Sequence, residues 1–279
     1  MHLSAPITVA AAEPLRWNPS AGRNAHRLPT DHVIEVGDAK LKFSPGWTDP
    51  AYRFTGGIAQ AARGAELFVE AGGPFAADGV LTDLRRALDE VPQPMLDGVN
   101  QIRVLARQDE AYDRYFAKAY GIPGFQAAAA GGGGTITFFG GKPYSTGTLF
   151  HELAHNLGVG GWSGASAADD AVVASLLRTG TLRQLEFEPI PDPARRARWT
   201  PRLAPGAVTP YGQSATGEDI AEGMRLIMSE SHFGHAFAQH VASDGTVREL
   251  PFGEIYPNRT AALERAARTD LDRDGTIGS

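Results

Sequence analysis

Thr148-Leu-Phe-His151-Glu152-Leu-Ala-His155-Asn-Leu157 decides the reading of this 279-residue chain. The run carries no charged residue but Glu152 and is followed by Gly158, Gly160 and Gly161, which predicts a buried helix from about 148 to 157. Two histidines at i and i+4 stand one turn apart on the same face of such a helix, so both rings can reach one Zn2+ at about 2.0–2.1 Å. Glu152 sits one residue round, beside the ligand axis. There a carboxylate can take a proton from metal-bound water whose pKa the ion has lowered toward ~7. It reads as a base rather than a ligand. The alternative, two core histidines bonded to backbone, is disfavoured because burying two His and a Glu is costly without a compensating metal.

Composition narrows the field around that helix. With 26 Lys+Arg against 32 Asp+Glu, the formal charge of −6 offers no basic footprint for nucleic acid. No stretch approaches the roughly 18 uninterrupted apolar residues that a spanning helix needs, which argues against membrane insertion. Cys is absent, so thiolate zinc sites, disulfides and Cys nucleophiles are excluded together, and any metal must use His and carboxylate. At 42% hydrophobic, the chain suits one large domain or two small ones.

Upstream, residues 1–30 lack periodicity and read as an arm, in which the apolar 5–12 stretch is a leader remnant or a plain tail. Helical spacing is expected over 59–69 and again over 80–91, the second run ending at Pro92. Residues 101–107 and Thr135-Ile-Thr-Phe-Phe139 read as strands, with 127–134, four alanines and four glycines, as a flexible approach to the latter. Downstream, a helix is expected from Ser166, capped by its hydroxyl with Asp169 completing the box. The Pro-rich 189–205 stretch reads as a long surface connection. A second capping box, Thr216-Gly-Glu-Asp219, opens a helix with Ile220, Met224 and Ile227 facing inward.

A catalytic zinc site takes three protein ligands and keeps one position open. Position 161, where the longer metzincin signature needs a His, is Gly161. The helix opened by Thr216 offers better candidates, since Glu218 and Glu222 are four apart and share a side. Such a pair is ordinarily a solvated acidic face, but its neighbours Ile220, Ala221 and Met224 are apolar. That favours one acid as ligand and the other as its neighbour.

The sequence Tyr211-Gly-Gln-Ser-Ala-Thr-Gly-Glu218-Asp-Ile-Ala-Glu222-Gly-Met-Arg-Leu226 resembles the second motif of the anthrax lethal factor-like metallopeptidases, which include the Pro-Pro endopeptidases. In that pattern a Tyr lies seven residues before the zinc-binding Glu, and another Glu follows one helical turn later. The likeness covers the two motifs and the intervening helix, and residues 80–268 when the strand–helix order is included. It implies that His151, His155 and Glu218 bind zinc, that Glu152 is the base, and that Tyr211 donates a hydrogen bond to the tetrahedral oxyanion, a role the chemistry also asks for.

In zincins an edge strand above the active-site helix pairs with an extended substrate, and 135–139 is either that strand, acting by β-augmentation, or an ordinary sheet strand. His232, His235 and His240 form either a second metal site or a solvent-facing helix end. Asp270-Leu-Asp272-Arg-Asp274-Gly275 matches the first half of a calcium loop, resembling the start of a dockerin or EF-hand, but the chain stops before position 12.

The expectation is therefore a zincin-like α+β fold, a small twisted sheet with an active-site helix and a helical C-terminal half. It comprises an arm over 1–30, a metallopeptidase domain over 31–268 and a calcium-loop-like tail over 269–279. The implied function is a secreted zinc endopeptidase in which zinc-bound water attacks a peptide carbonyl, with Zn2+ as cofactor, Ca2+ as a candidate at the tail, and a protein or peptide as partner. The competing expectation is a noncatalytic secreted binding or toxin-like module holding a structural zinc. A closed four-ligand site, with Glu222 or His232 joining, distinguishes it.

Overall fold

The computed structural model describes residues 32–36, 39–43, 57–70, 77–120, 123–132, 134–140, 144–185, 200–201 and 203–278. The arm expected over 1–30 and most of the 189–205 connection lie outside them. The chain divides into two compact units, Met1–Asp89 with Gly98–Tyr144, and Glu90–Asp97 with Ser145–Ser279. The architecture is mixed α+β.

The first unit carries an antiparallel pair, β1 (His32–Val36) and β2 (Ala39–Phe43), and a five-stranded sheet. That sheet comprises β3 (Gly57–Ala62), β4 (Ala65–Glu70), β5 (Gln101–Val104), β6 (Ala129–Gly132) and β7 (Thr135–Phe138), in the order β3-β4-β5-β7-β6. The inner strands β4, β5 and β7 run parallel. Parallel neighbours need crossovers, supplied by α1 (Ala77–Glu90) and α3 (Glu110–Tyr120). α1 buries Val80, Leu81, Leu84 and Leu88, as its spacing predicts.

Three expectations are corrected here. The 59–69 run is not a helix but the β3–β4 hairpin. Arg63 (φ 49) and Gly64 (φ 88) both take left-handed backbone and make the two-residue turn between Ala62 and Ala65. Ala65, Leu67, Phe68 and Val69 are all buried because β4 is an inner strand, and a short, continuously apolar run looks alike in either state. The 127–134 stretch is no flexible approach: Ala129–Gly132 is the edge strand β6, paired antiparallel with β7. β7 is consequently flanked on both sides, so its backbone has no edge free for an extended substrate, and the strand-addition reading of 135–139 is withdrawn.

The second unit is built on α2 (Gln93–Leu96), α4 (Thr146–Ala154), α5 (Trp162–Leu177), α6 (Thr216–Phe233), α7 (Phe252–Ile255) and α8 (Pro257–Ala267). A sheet of β8 (Leu182–Gln184), β9 (Ala238–Val241) and β10 (Val247–Leu250), all antiparallel in the order β10-β9-β8, joins them. The C-terminal half is thus not purely helical as expected. No helix among the described residues is long and apolar enough to cross a membrane.

Both expected capping boxes are corrected. α5 starts earlier, after left-handed Gly161 (φ 75), which leaves Ser166 and Asp169 inside the helix. Asp169 instead accepts the N–H groups of Asn258 and Arg259 (both 2.9 Å) and so caps the N-terminus of α8, some ninety residues on. Thr216 is the first residue of α6 rather than its cap, because Asp219 is occupied by Trp162 and Val208.

α4 packs against α6, and Leu149, Phe150, Leu153, Met224 and Leu226 are fully buried. Phe150→Ala is expected to cost about 3–5 kcal/mol, against within about 0.5 kcal/mol for Leu177→Ala, whose side chain is exposed. Thermal melts measure this. Equal melting temperatures for the two variants would show that the α4–α6 packing is not what stabilises this unit.

Candidate metal centre

α4 opens at Ser145, whose hydroxyl accepts the Thr148 N–H (3.2 Å), and its regular part stops at Ala154, three residues short of the expected end. His155 nevertheless keeps helical backbone (φ −61, ψ −15) as the C-cap, so the i, i+4 relation with His151 survives. Their ring Nε2 atoms lie 3.2 Å apart. Glu218, in the first turn of α6, brings Oε2 to 3.1 Å from His151 Nε2 and 3.7 Å from His155 Nε2. One ligand atom from each of the three residues falls within 4.8 Å of the others. Two neutral imidazoles and one carboxylate are the donor set of a three-ligand catalytic zinc site, so the residues present fit that ion.

Glu222 lies one turn further along α6 and is fully buried. His151 Nδ1 donates to its Oε1 (2.8 Å), and Arg225 forks onto both of its oxygens (2.9 and 3.1 Å). A carboxylate on the far nitrogen of a metal-binding histidine sets the ring's tautomer and orientation and leaves Nε2 free for the ion. Burial raises the Glu222 pKa, but Arg225 and His151 together bring it down to about 2, so the carboxylate stays charged. Arg225 escaped the sequence reading, although its place three residues after Glu222 is the ordinary spacing of a helical ion pair.

Burial would lower the His151 pKa, but hydrogen bonds to Glu218 and Glu222 and the fields of Glu222 and Glu152 outweigh it and lift the group to about 10. His155 goes the other way, to about 4, through desolvation of its inward nitrogen and repulsion by His151, although an edge of its ring stays open to solvent. Glu218 is held below its usual range despite burial, by His151, His155 and a hydrogen bond from Tyr211. The Tyr211 ring lies 5.8 Å from that of His151, centroid to centroid. Glu152 is half-buried on the same turn as His151.

Proton and metal therefore compete for one atom, Nε2 of His151. In protein stripped of metal, His151 carries its extra proton at all pH values below about 10 and must surrender it to a metal, while His155 is already neutral at pH 7. Zinc binding near pH 7 should release about one proton, with apparent affinity rising about tenfold per pH unit until pH approaches 10. Calorimetry in buffers of different ionisation enthalpy measures the release. Binding without it would contradict the charge placed on His151.

The other groupings resolve differently. The three downstream histidines do not converge: His232 Nδ1 bonds Glu90 (2.8 Å), while His240 pairs with Thr181 (2.8 Å). The calcium-type loop keeps the expected turn, with Gly275 (φ 94) donating to Asp270 Oδ2 (2.9 Å). Buried Glu264, upstream on α8, brings a carboxylate within 4.8 Å of the Asp270 and Asp272 ligand atoms and accepts the N–H groups of Leu271 (2.9 Å) and Gly278 (2.8 Å). A cavity of about 600 Å3, lined among others by Trp162, Asp170, Gln213 and Asp219, contains none of the three candidate zinc ligands in its wall.

No protein-family model, curated protein or solved structure matches this chain.

Proposed function

We propose that the chain is a zinc-dependent endopeptidase of zincin type, akin to the lethal factor-like metallopeptidases whose second motif 211–226 resembles. The observation that carries this reading is the meeting of His151, His155 and Glu218 at one point, with Glu222 on the far nitrogen of His151. His151, His155 and Glu218 would hold Zn2+, which would supply Lewis-acid chemistry toward a peptide carbonyl and toward water. Glu152 accepts the proton of the attacking water and returns it to the leaving amine. Tyr211 donates a hydrogen bond to the carbonyl oxygen as that oxygen gains negative charge. Glu222, kept ionised by Arg225, holds the His151 ring in its Nδ1–H tautomer.

Catalysis is favoured over a structural zinc because both candidates for a fourth protein ligand are engaged elsewhere, Glu222 with His151 and Arg225, and His232 with Glu90. The calcium-type loop at 270–275 favours an extracellular setting, where the cation is plentiful enough for weak sites.

A peptide-library digest read by mass spectrometry, with and without a zinc chelator, tests the proposal. Cleavage should stop on chelation and return with added zinc. Cleavage indifferent to the chelator, or none from zinc-loaded protein, overturns it.

A further inference from the structure

Tyr211 caps a single 3-10 turn, Gly212–Ser214, and lies outside the α-helices, yet its hydroxyl must sit within bonding reach of the candidate metal ligands. Two contacts fasten that turn, and both lead to Asp219, the residue after Glu218. Upstream, the Val208 N–H donates to Asp219 Oδ1 (2.9 Å). Asp219 Oδ2 accepts the Trp162 indole N–H (2.8 Å) and lies 3.7 Å from Arg259 Nη2. Downstream, Gly212 lies against the same residue. A Cβ there would stand 2.9 Å from Asp219 Oδ1 and 3.1 Å from its Cα. The carboxylate cannot swing aside without giving up Val208 and Trp162, and the Cα belongs to the backbone of α6. Gly212 does not take left-handed backbone, so glycine is required here for space. Thr209 Oγ1 completes the turn by accepting the Gly212 N–H (3.1 Å). The segment bearing Tyr211 is thus pinned, before and after that residue, to the helical turn that bears Glu218.

We propose that Gly212 and Asp219 are positioning residues that clamp Tyr211 onto the first turn of α6, and so fix the oxyanion donor relative to His151 and Glu218. The inference rests on the reading of Tyr211 as that donor, but the clamp itself can be tested without turnover.

Gly212→Ala should wedge the turn away from α6. In protein stripped of metal, the nuclear Overhauser contact between the Tyr211 and His151 rings, whose centroids are 5.8 Å apart, should weaken or vanish. The control Gly160→Ala, at an exposed glycine with nothing within 4 Å of a new Cβ, should leave it intact. With zinc loaded, Gly212→Ala should lower kcat about 10–100-fold while KM and zinc stoichiometry stay unchanged, as for a group displaced by about 1 Å. In a Tyr211→Phe background the same change should cost nothing more, because the group being positioned is gone; a merely structural defect would cost the same in both backgrounds. If Gly212→Ala fails to fold, Asp219→Asn, equal in volume but one acceptor oxygen short, takes its place with the same expected losses. A folded variant that keeps the ring contact, or whose loss adds fully to that of Tyr211→Phe, overturns the clamp. Absence of peptidase activity in the wild-type digest would instead overturn the zinc-peptidase reading, with the ring contact still deciding the clamp.

Discussion

Glu152→Gln should lower kcat by about 10²–10⁴-fold while leaving zinc bound at the wild-type ratio. The amide has nearly the shape of the carboxylate but no basicity, so it cannot take the proton from the attacking water. Glu152 is half-buried beside His151 and is not among the three residues whose donor atoms converge. Metal analysis and the melting temperature should therefore be indifferent to the change while turnover is not. If the variant kept most of its activity on the peptide library, the assigned base would be wrong; if zinc were lost with activity, Glu152 would have to be counted among the ligands.

The second large effect is expected at Glu218. Glu218→Ala removes one of three donors and leaves two imidazoles whose Nε2 atoms are 3.2 Å apart. Zinc content after dialysis should fall well below one per chain, and activity with it. Glu222→Gln is the informative contrast. It keeps an acceptor for His151 Nδ1 but gives up the charge that Arg225 balances, and removing such an outer partner typically costs 10–100-fold in metal affinity. The larger loss should thus belong to Glu218. The reverse order, measured by competition with a metallochromic chelator, would exchange the roles given to the two acids.

Much of the centre was legible because its parts are helical and local. His151 and His155 share a face through the 3.6-residue period alone, and Glu218 and Glu222 are likewise one turn apart on theirs. The misreadings lie where long-range pairing overrides local pattern. Ala65, Leu67, Phe68 and Val69 are apolar enough for a buried helix, and only pairing with β3 and β5 makes them a strand. Ser166 and Asp169 have the spacing of a helix start, but the chain enters α5 four residues earlier and Asp169 serves α8 instead. The glycines of 127–134 suggested mobility, whereas β7 recruits the backbone of Ala129–Gly132 as an edge strand and thereby loses its own edge.

From the order of residues alone follow the histidine pair on α4, the acid pair on α6 and the exclusion of thiolates, because these depend on chemistry and on periodicity within single elements. The division of labour between the two acids does not follow from it. Glu218 turns toward both Nε2 atoms and Glu222 toward Nδ1 of His151 because α6 meets α4 in one particular rotation. Close approaches of α6 to its other neighbours limit which face it can turn to α4, such as that of Trp162, at the start of α5, to Gly223, where a Cβ would find only 3.0 Å. Contacts of that kind join residues more than sixty positions apart, a distance over which no local period carries information.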